Sequence, residues 1–199
     1  MSEPEAVRHA QRVTAMLDEF IGLLFIARTT GTLWGVLGHK HPIAAAHATL
    51  MSEGTILITM RRFFDLWRYH VEKLLEPADP GFEAGRWLVD EIERRNLRST
   101  ASKLFAHYAA DKSDLPLSLK EATDLVQSNG WATDQEVLQW AGQATWKIGE
   151  VWAGILAKYS LPASKSKQWI PDALDSMYWV VDQVAQRYGP YDPPPLSPS

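Results

Sequence analysis

The chain has 199 residues, 46% of them hydrophobic and 22% charged, with nine tryptophans, twelve prolines and no cysteine. That length and apolar content suit one globular domain with a sizeable core and exclude an intrinsically disordered chain. The missing cysteines exclude disulfides, thiolate metal sites and cysteine nucleophiles. A formal net charge of −4 excludes a protein coated in positive charge, so any nucleic-acid contact needs a local patch.

The N-terminus, MSEPEAVRHAQR, is acidic and polar where a secretory signal needs a basic start and an apolar run. Residues 4–38 read as a helix with a weak centre at Thr29, Thr30 and Gly31. The window 20–37 carries Arg28, threonines and glycines, which leaves it short of the roughly 18–20 apolar residues of a membrane span. The expectation is a cytoplasmic protein without membrane contact. His39, His41 and His47 in GHKHPIAAAH lack a supporting carboxylate or thiolate, so no metal is expected, and Pro42 reads as a helix start.

The strongest helical stripe follows: Ile56, Met60, Phe63, Phe64, Trp67, Val71, Leu74 and Leu75 keep one 3.6-residue period. On the same segment Arg61, Asp65, Arg68 and Glu72 alternate in sign at helical spacing. That is most simply a solvated ion-pair ladder; the other reading is a phosphate-facing pair, Arg61 and Arg62. Further on, Leu97, Ala101, Leu104, Phe105 and Tyr108 make an apolar face, and Asn96, Thr100, Lys103 and His107 make a polar row along its border.

Ser118 with Glu121, and Thr133 with Glu136, each have the spacing of a capping box and predict two helix starts. The second helix carries Val137, Ala141, Ala144, Ile148, Val151, Ile155 and Tyr159 on one side and should run to about residue 160. Trp140, Trp146 and Trp152 are six residues apart and cannot share a face. Pro171 predicts the first turn of a last helix ending near Gly189. Residues 189–199, GPYDPPPLSPS, should be an extended tail, of polyproline type where ordered. Alternating-strand patterns, internal repeats, phosphate loops and other cofactor motifs are absent from the sequence. The reading is an all-α bundle of five to seven helices in a single domain over residues 1–188, with a Pro-rich C-terminal tail over 189–199.

His107 has two readings: a core-border histidine bonded to a carbonyl, or a near-neutral acid–base group. A resemblance bears on the choice. SKLFAHYAAD at 102–111, followed by a loop and SLKEATDLV, with MRRFFDLW upstream, resembles the motif region of the HEPN superfamily, in particular its abortive-infection branch. The similarity in helix order covers roughly residues 10–160. It implies an all-α bundle that forms a homodimer around a metal-independent RNA-cleaving cleft, with the two-fold axis near His107. It also implies His107 as general acid or base at a ribose 2′-hydroxyl, with no cofactor.

The family places an arginine four to six residues before its histidine, and here six residues before stands Ala101. Arg98 is nine residues away, half a turn out of phase, and Arg95 and Asn96 come too early. Lys103 is the cation in the histidine's row. The implied site is therefore His107 and Lys103 as catalytic groups, with Asn96, Thr100, Arg61 and Arg62 contacting RNA. The implied function is bacterial defence or toxin–antitoxin regulation with weak or lost ribonuclease activity, the partners being RNA and an antitoxin or other defence protein. The alternative is a non-catalytic helical protein-interaction module.

Overall fold

A computed structural model describes residues 3–38, 40–108 and 118–162, leaving aside the side chains of residues 3, 105–108 and 119. The described residues are all-helical: α1 Glu3–Leu37, α2 Pro42–Tyr69, a 3-10 turn Val71–Lys73, α3 Phe82–Arg94, α4 Leu97–Tyr108, α5 Leu119–Gln127 and α6 Asp134–Lys158. The last helix expected from Pro171 and the Pro-rich tail lie outside the described residues.

α1 passes unbroken through its weak centre. Thr29 Oγ1 donates back to the Phe25 carbonyl at 2.9 Å. Gly31 makes room for α6: a Cβ there would sit 2.8 Å from Leu138 Cδ2. Packing of one long helix on another outweighs a propensity deficit of about 1 kcal/mol at the glycine.

Pro42 occupies the first turn of α2, as expected, but the helix stops at Tyr69 and does not reach Leu75. His70 leaves helical geometry at φ −132°, and a 3-10 turn carries Val71, Leu74 and Leu75 back into the core, where all three are buried. The apolar period survives the break because a 3-10 turn places its residues on nearly the same side as one turn of α-helix.

α1 and α2 form an antiparallel hairpin, and α6 returns along α1 with Arg28 Nε donating to the Leu138 carbonyl at 3.1 Å. The face forecast for α6 is buried from Val137 to Ile155, with Tyr159 half-buried and its hydroxyl donating to the Leu74 carbonyl at 3.2 Å. Trp140 and Trp152 are buried and Trp146 is 72% exposed, so the three do not share a face. Ser118 and Glu121 close the full capping box. At α6 the box is displaced: Thr133 Oγ1 accepts from Glu136 N at 3.3 Å, but the Glu136 carboxylate accepts from Ala132 N at 2.9 Å.

α1 and α2 each contain an 18-residue window apolar enough, by length and composition, to cross a membrane, at mean hydropathies of 1.5 and 1.2. This overturns the expectation for 20–37: the window in Pro4–Leu37 is apolar enough despite its threonines and glycines. Core helices meet the same criterion, and 33% and 44% of the two windows are buried.

α3 is held by two close approaches. At Gly85 an added Cβ would lie 1.7 Å from Trp67 Cζ3, and at Gly154 in α6 it would lie 1.8 Å from the Pro80 carbonyl oxygen. Gly149, five residues earlier in α6, meets nothing within 4 Å. Gly154→Ala is therefore expected to cost about 2 kcal/mol or more by overpacking, and Gly149→Ala to gain about 0.5–1 kcal/mol from helix propensity. Thermal melts of the two variants, made in the same helix, check both signs.

Candidate functional site

The sequence-derived site residues fall on different sides of the fold. Arg61 reaches from α2 to α4, its Nη1 donating to Ser102 Oγ at 3.0 Å. Arg62 points the other way: it pairs with Glu19 of α1 at 2.8 Å and lies over the Phe20 ring at 5.0 Å. Adjacent residues on a helix diverge by about 100°, so the two arginines do not act on one phosphate.

The polar row also separates. Asn96 lies before α4, with a left-handed φ of 54° that asparagine tolerates, and its carbonyl accepts from Thr100 N at 3.3 Å. Asn96 is thus a turn residue between α3 and α4. Thr100 is only 3% exposed, and its hydroxyl donates to Asn129 Oδ1 at 2.8 Å, while Asn129 Nδ2 donates to the Val126 carbonyl at 2.8 Å. That buried pair ties α4 to the end of α5, so Thr100 cannot touch RNA. Arg95 is likewise structural, stacked over Trp131 at 4.9 Å and donating to the Asn129 carbonyl at 3.3 Å.

Lys103 is exposed, but around α4 it stands about 140° from Arg98 and about 100° from Ser102. It therefore leaves the flank opposite the α2 arginines. The backbone of His107 is in α4; its side chain lies outside the described residues, as do those of Phe105 and Tyr108. Leu97, Ala101 and Leu104 are buried as forecast.

What the fold does assemble is a surface between α2 and α4. Phe64, fully buried, carries Arg98 at 4.3 Å from its ring centre and Arg68 at 5.7 Å. Arg61 is one turn along α2, and Asp65 approaches Arg98 at 3.8 Å. The expected ladder along α2 does not form: Asp65 pairs across to α4, and Glu72 accepts from Trp67 Nε1 at 2.9 Å. Three arginines against one carboxylate make a locally cationic strip, two of them, Arg98 and Arg68, held over the Phe64 ring. Spacing put Arg68 in an ion-pair ladder and Arg98 out of phase with His107; the geometry that unites them is a contact between helices, which no single helix's spacing shows.

Glu53 was also missed. It is 2% exposed in α2, with Oε1 lacking a hydrogen-bond partner. Burial first, and the Asp134 carboxylate second, push its pKa up to about 8. A signal existed, since Glu53 falls on the same stripe as Ile56 and Met60. His41 and His47 are exposed, and His39 lies outside the described residues. A cleft of about 100 Å³ between α1 and α6, lined by Thr14, Asp18, Trp152 and Leu156, is smaller than ordinary ligand pockets.

Comparisons with protein-family models, curated proteins and solved structures find no match for this chain.

Two expectations follow from the burial. Because the folded pKa of Glu53 is raised from 4.5 to about 8, its protonated form is the one the fold favours. Its contribution is complete below pH 4.5 and is lost as pH rises through about 8, at no more than about 1.4 kcal/mol per pH unit. Urea titrations across pH 5–9 should show that loss in the parent protein and a flatter profile in Glu53→Gln. Ala101 is 0% exposed, so Ala101→Arg should cost at least about 3 kcal/mol by burying a charge, read as a lowered melting temperature.

Proposed function

We propose that this protein is an HEPN-like, RNA-directed helical protein of bacterial defence or toxin–antitoxin type, with weak or absent ribonuclease activity. The observation that carries the reading is the strip of Arg61, Arg68 and Arg98 on a chain whose formal charge is −4. On an anionic protein such a strip draws a polyphosphate to one place, and guanidiniums meet phosphate oxygens in bidentate fashion.

His107 is the acid–base group of this reading; it lies half a turn of helical phase from Arg98, so an RNA held by the strip must cross α4 for His107 to take the proton of a ribose 2′-hydroxyl or give one to the leaving oxygen. A cation must then stabilise the phosphate as negative charge develops on it. The place the family gives to arginine is filled by Ala101, which is fully buried. Lys103 is the remaining cation of α4 for that task, and it offers a point charge without a planar fork. Cleavage is accordingly slow or absent. A cytoplasmic location, a homodimer, and an antitoxin or other defence protein as regulator belong to the same proposal.

A second reading is a non-catalytic helical protein-interaction module. It draws support from Asn96, Thr100 and Arg95, which hold the fold together where a nuclease cleft would use such groups on a substrate.

Anisotropy of a fluorescent single-stranded RNA, measured against salt, tests the binding part. The parent protein should bind at low salt, and each of Arg61→Ala and Arg98→Ala should reduce the slope of log K against log salt by about 0.7. Any slow cleavage should disappear in His107→Ala while binding and helicity persist. Robust cleavage that survives His107→Ala removes that residue from the site. Absence of RNA binding at low salt leaves the interaction module as the function.

A further inference from the structure

The first turns of α1 and the end of α2 bring two histidines together. His9 is half-buried in α1, and His70 stands exposed at the break that ends α2. Their ring centres are 5.1 Å apart, with the planes tilted by 55°. Among the described residues no hydrogen bond or ion pair engages either ring. A partly buried histidine ordinarily settles one nitrogen on a backbone carbonyl or a carboxylate. Here two imidazoles from different helices meet instead, and solvent reaches them through His70.

The spacing is that of two ligands on one ion. Imidazole nitrogen binds zinc at about 2.0–2.1 Å and the ring centre lies about 1.1–1.2 Å behind it, so two rings on a tetrahedral ion have centres roughly 5.0–5.3 Å apart. Ring packing alone allows about 4.5–7 Å; a shared ion uses the narrow part of that range and also takes up a nitrogen from each ring. Donor type selects the ion. Imidazole suits Zn²⁺, Cu²⁺ and Ni²⁺, whereas Ca²⁺ and Mg²⁺ want carboxylate and carbonyl oxygen. The chain has no cysteine, and among the described residues no group of three or more His, Asp and Glu could hold a metal. Two nitrogens and water therefore make up the coordination shell. Glu72 is already accepting from Trp67 Nε1, and the Lys73 charge acts on His70 and opposes a second cation there. Half the ligand set of a structural zinc centre, beside an ammonium, gives micromolar to sub-millimolar affinity.

We propose that His9 and His70 form a two-ligand site for a divalent transition-metal ion, Zn²⁺ or Cu²⁺, which clips the start of α1 to the end of α2. Sequence spacing directs attention to His39, His41 and His47 instead, because the meeting of His9 with His70 is a contact between helices. The site lies on the α1 flank of α2, whereas the arginine strip lies on the α4 flank. It is a structural ion, independent of any RNA activity.

Equilibrium dialysis of the full, untagged chain against zinc chloride should show one saturable site per chain, with which magnesium chloride does not compete. An ion that binds only the folded chain stabilises it by mass action, so zinc at ten times its Kd should raise the melting temperature by about 3–6 °C. His9→Gln and His70→Gln should each weaken zinc binding by at least about tenfold and remove that rise, with helicity by circular dichroism unchanged. His41→Gln and His47→Gln should alter neither readout. Absence of saturable zinc binding overturns the proposal, as does binding that survives in both His9→Gln and His70→Gln. Binding lost in His41→Gln or His47→Gln instead would assign the ion to the histidines at the start of α2 and overturn it equally.

Discussion

Trp67 is the side chain around which the bundle closes. It is 1% exposed, its ring lies 6.3 Å from that of Phe63 and 5.5 Å from that of Phe82, and Gly85 of α3 gives it the space a side chain would fill. Its indole N–H is satisfied by Glu72, which the break at His70 brings around to the ring. A straight continuation of α2 would carry Glu72 past that position. The end of α2, the 3-10 turn and the seating of α3 are therefore one arrangement, in which a large ring is buried with its donor paired.

The same economy of space governs α3 and α6. Pro80 and Gly81 enter against the backbone of α6 at Gly154, Val151 and Glu150, too close for any Cβ at 154. Lys158 reaches back to Asp79 and Glu76, closing the same corner by charge. Since exposed pairs contribute little, the steric fit does most of the positioning and the ion pairs follow it. With α3 fixed, the turn at Asn96 launches α4 across α2, and that crossing brings Arg98 over Phe64.

Polar groups in this protein divide by partner. Thr100 and Asn129 are buried and mutually satisfied, which makes them part of the fold. Arg61, Arg68 and Arg98 stay at the surface with one opposing carboxylate, which leaves them available to an anion. Glu53 belongs to neither group: it is buried beside another carboxylate and holds its proton at ordinary pH. In a low-dielectric site that is the cheaper state.

By itself the sequence determined the helical class, the punctuation at Pro42, Ser118 and Thr133, and the buried faces of α2, α4 and α6. These depend on local rules of period, capping and proline geometry, which act within a turn or two of chain. It marked Ala101 as a core position, and the packed structure agrees. The break at His70, the continuity of α1 through Gly31 and the fate of the polar row were decided by tertiary structure. Helical phase places Thr100 and Lys103 near one line, yet only the arrival of Asn129 from the far end of α5 makes Thr100 a buried anchor and leaves Lys103 outside. Arg61 and Arg62 are neighbours in sequence, and they part because α1 and α4 flank α2 on different sides. Spacing along one helix cannot supply that information, since it resides in which other helices arrive and where.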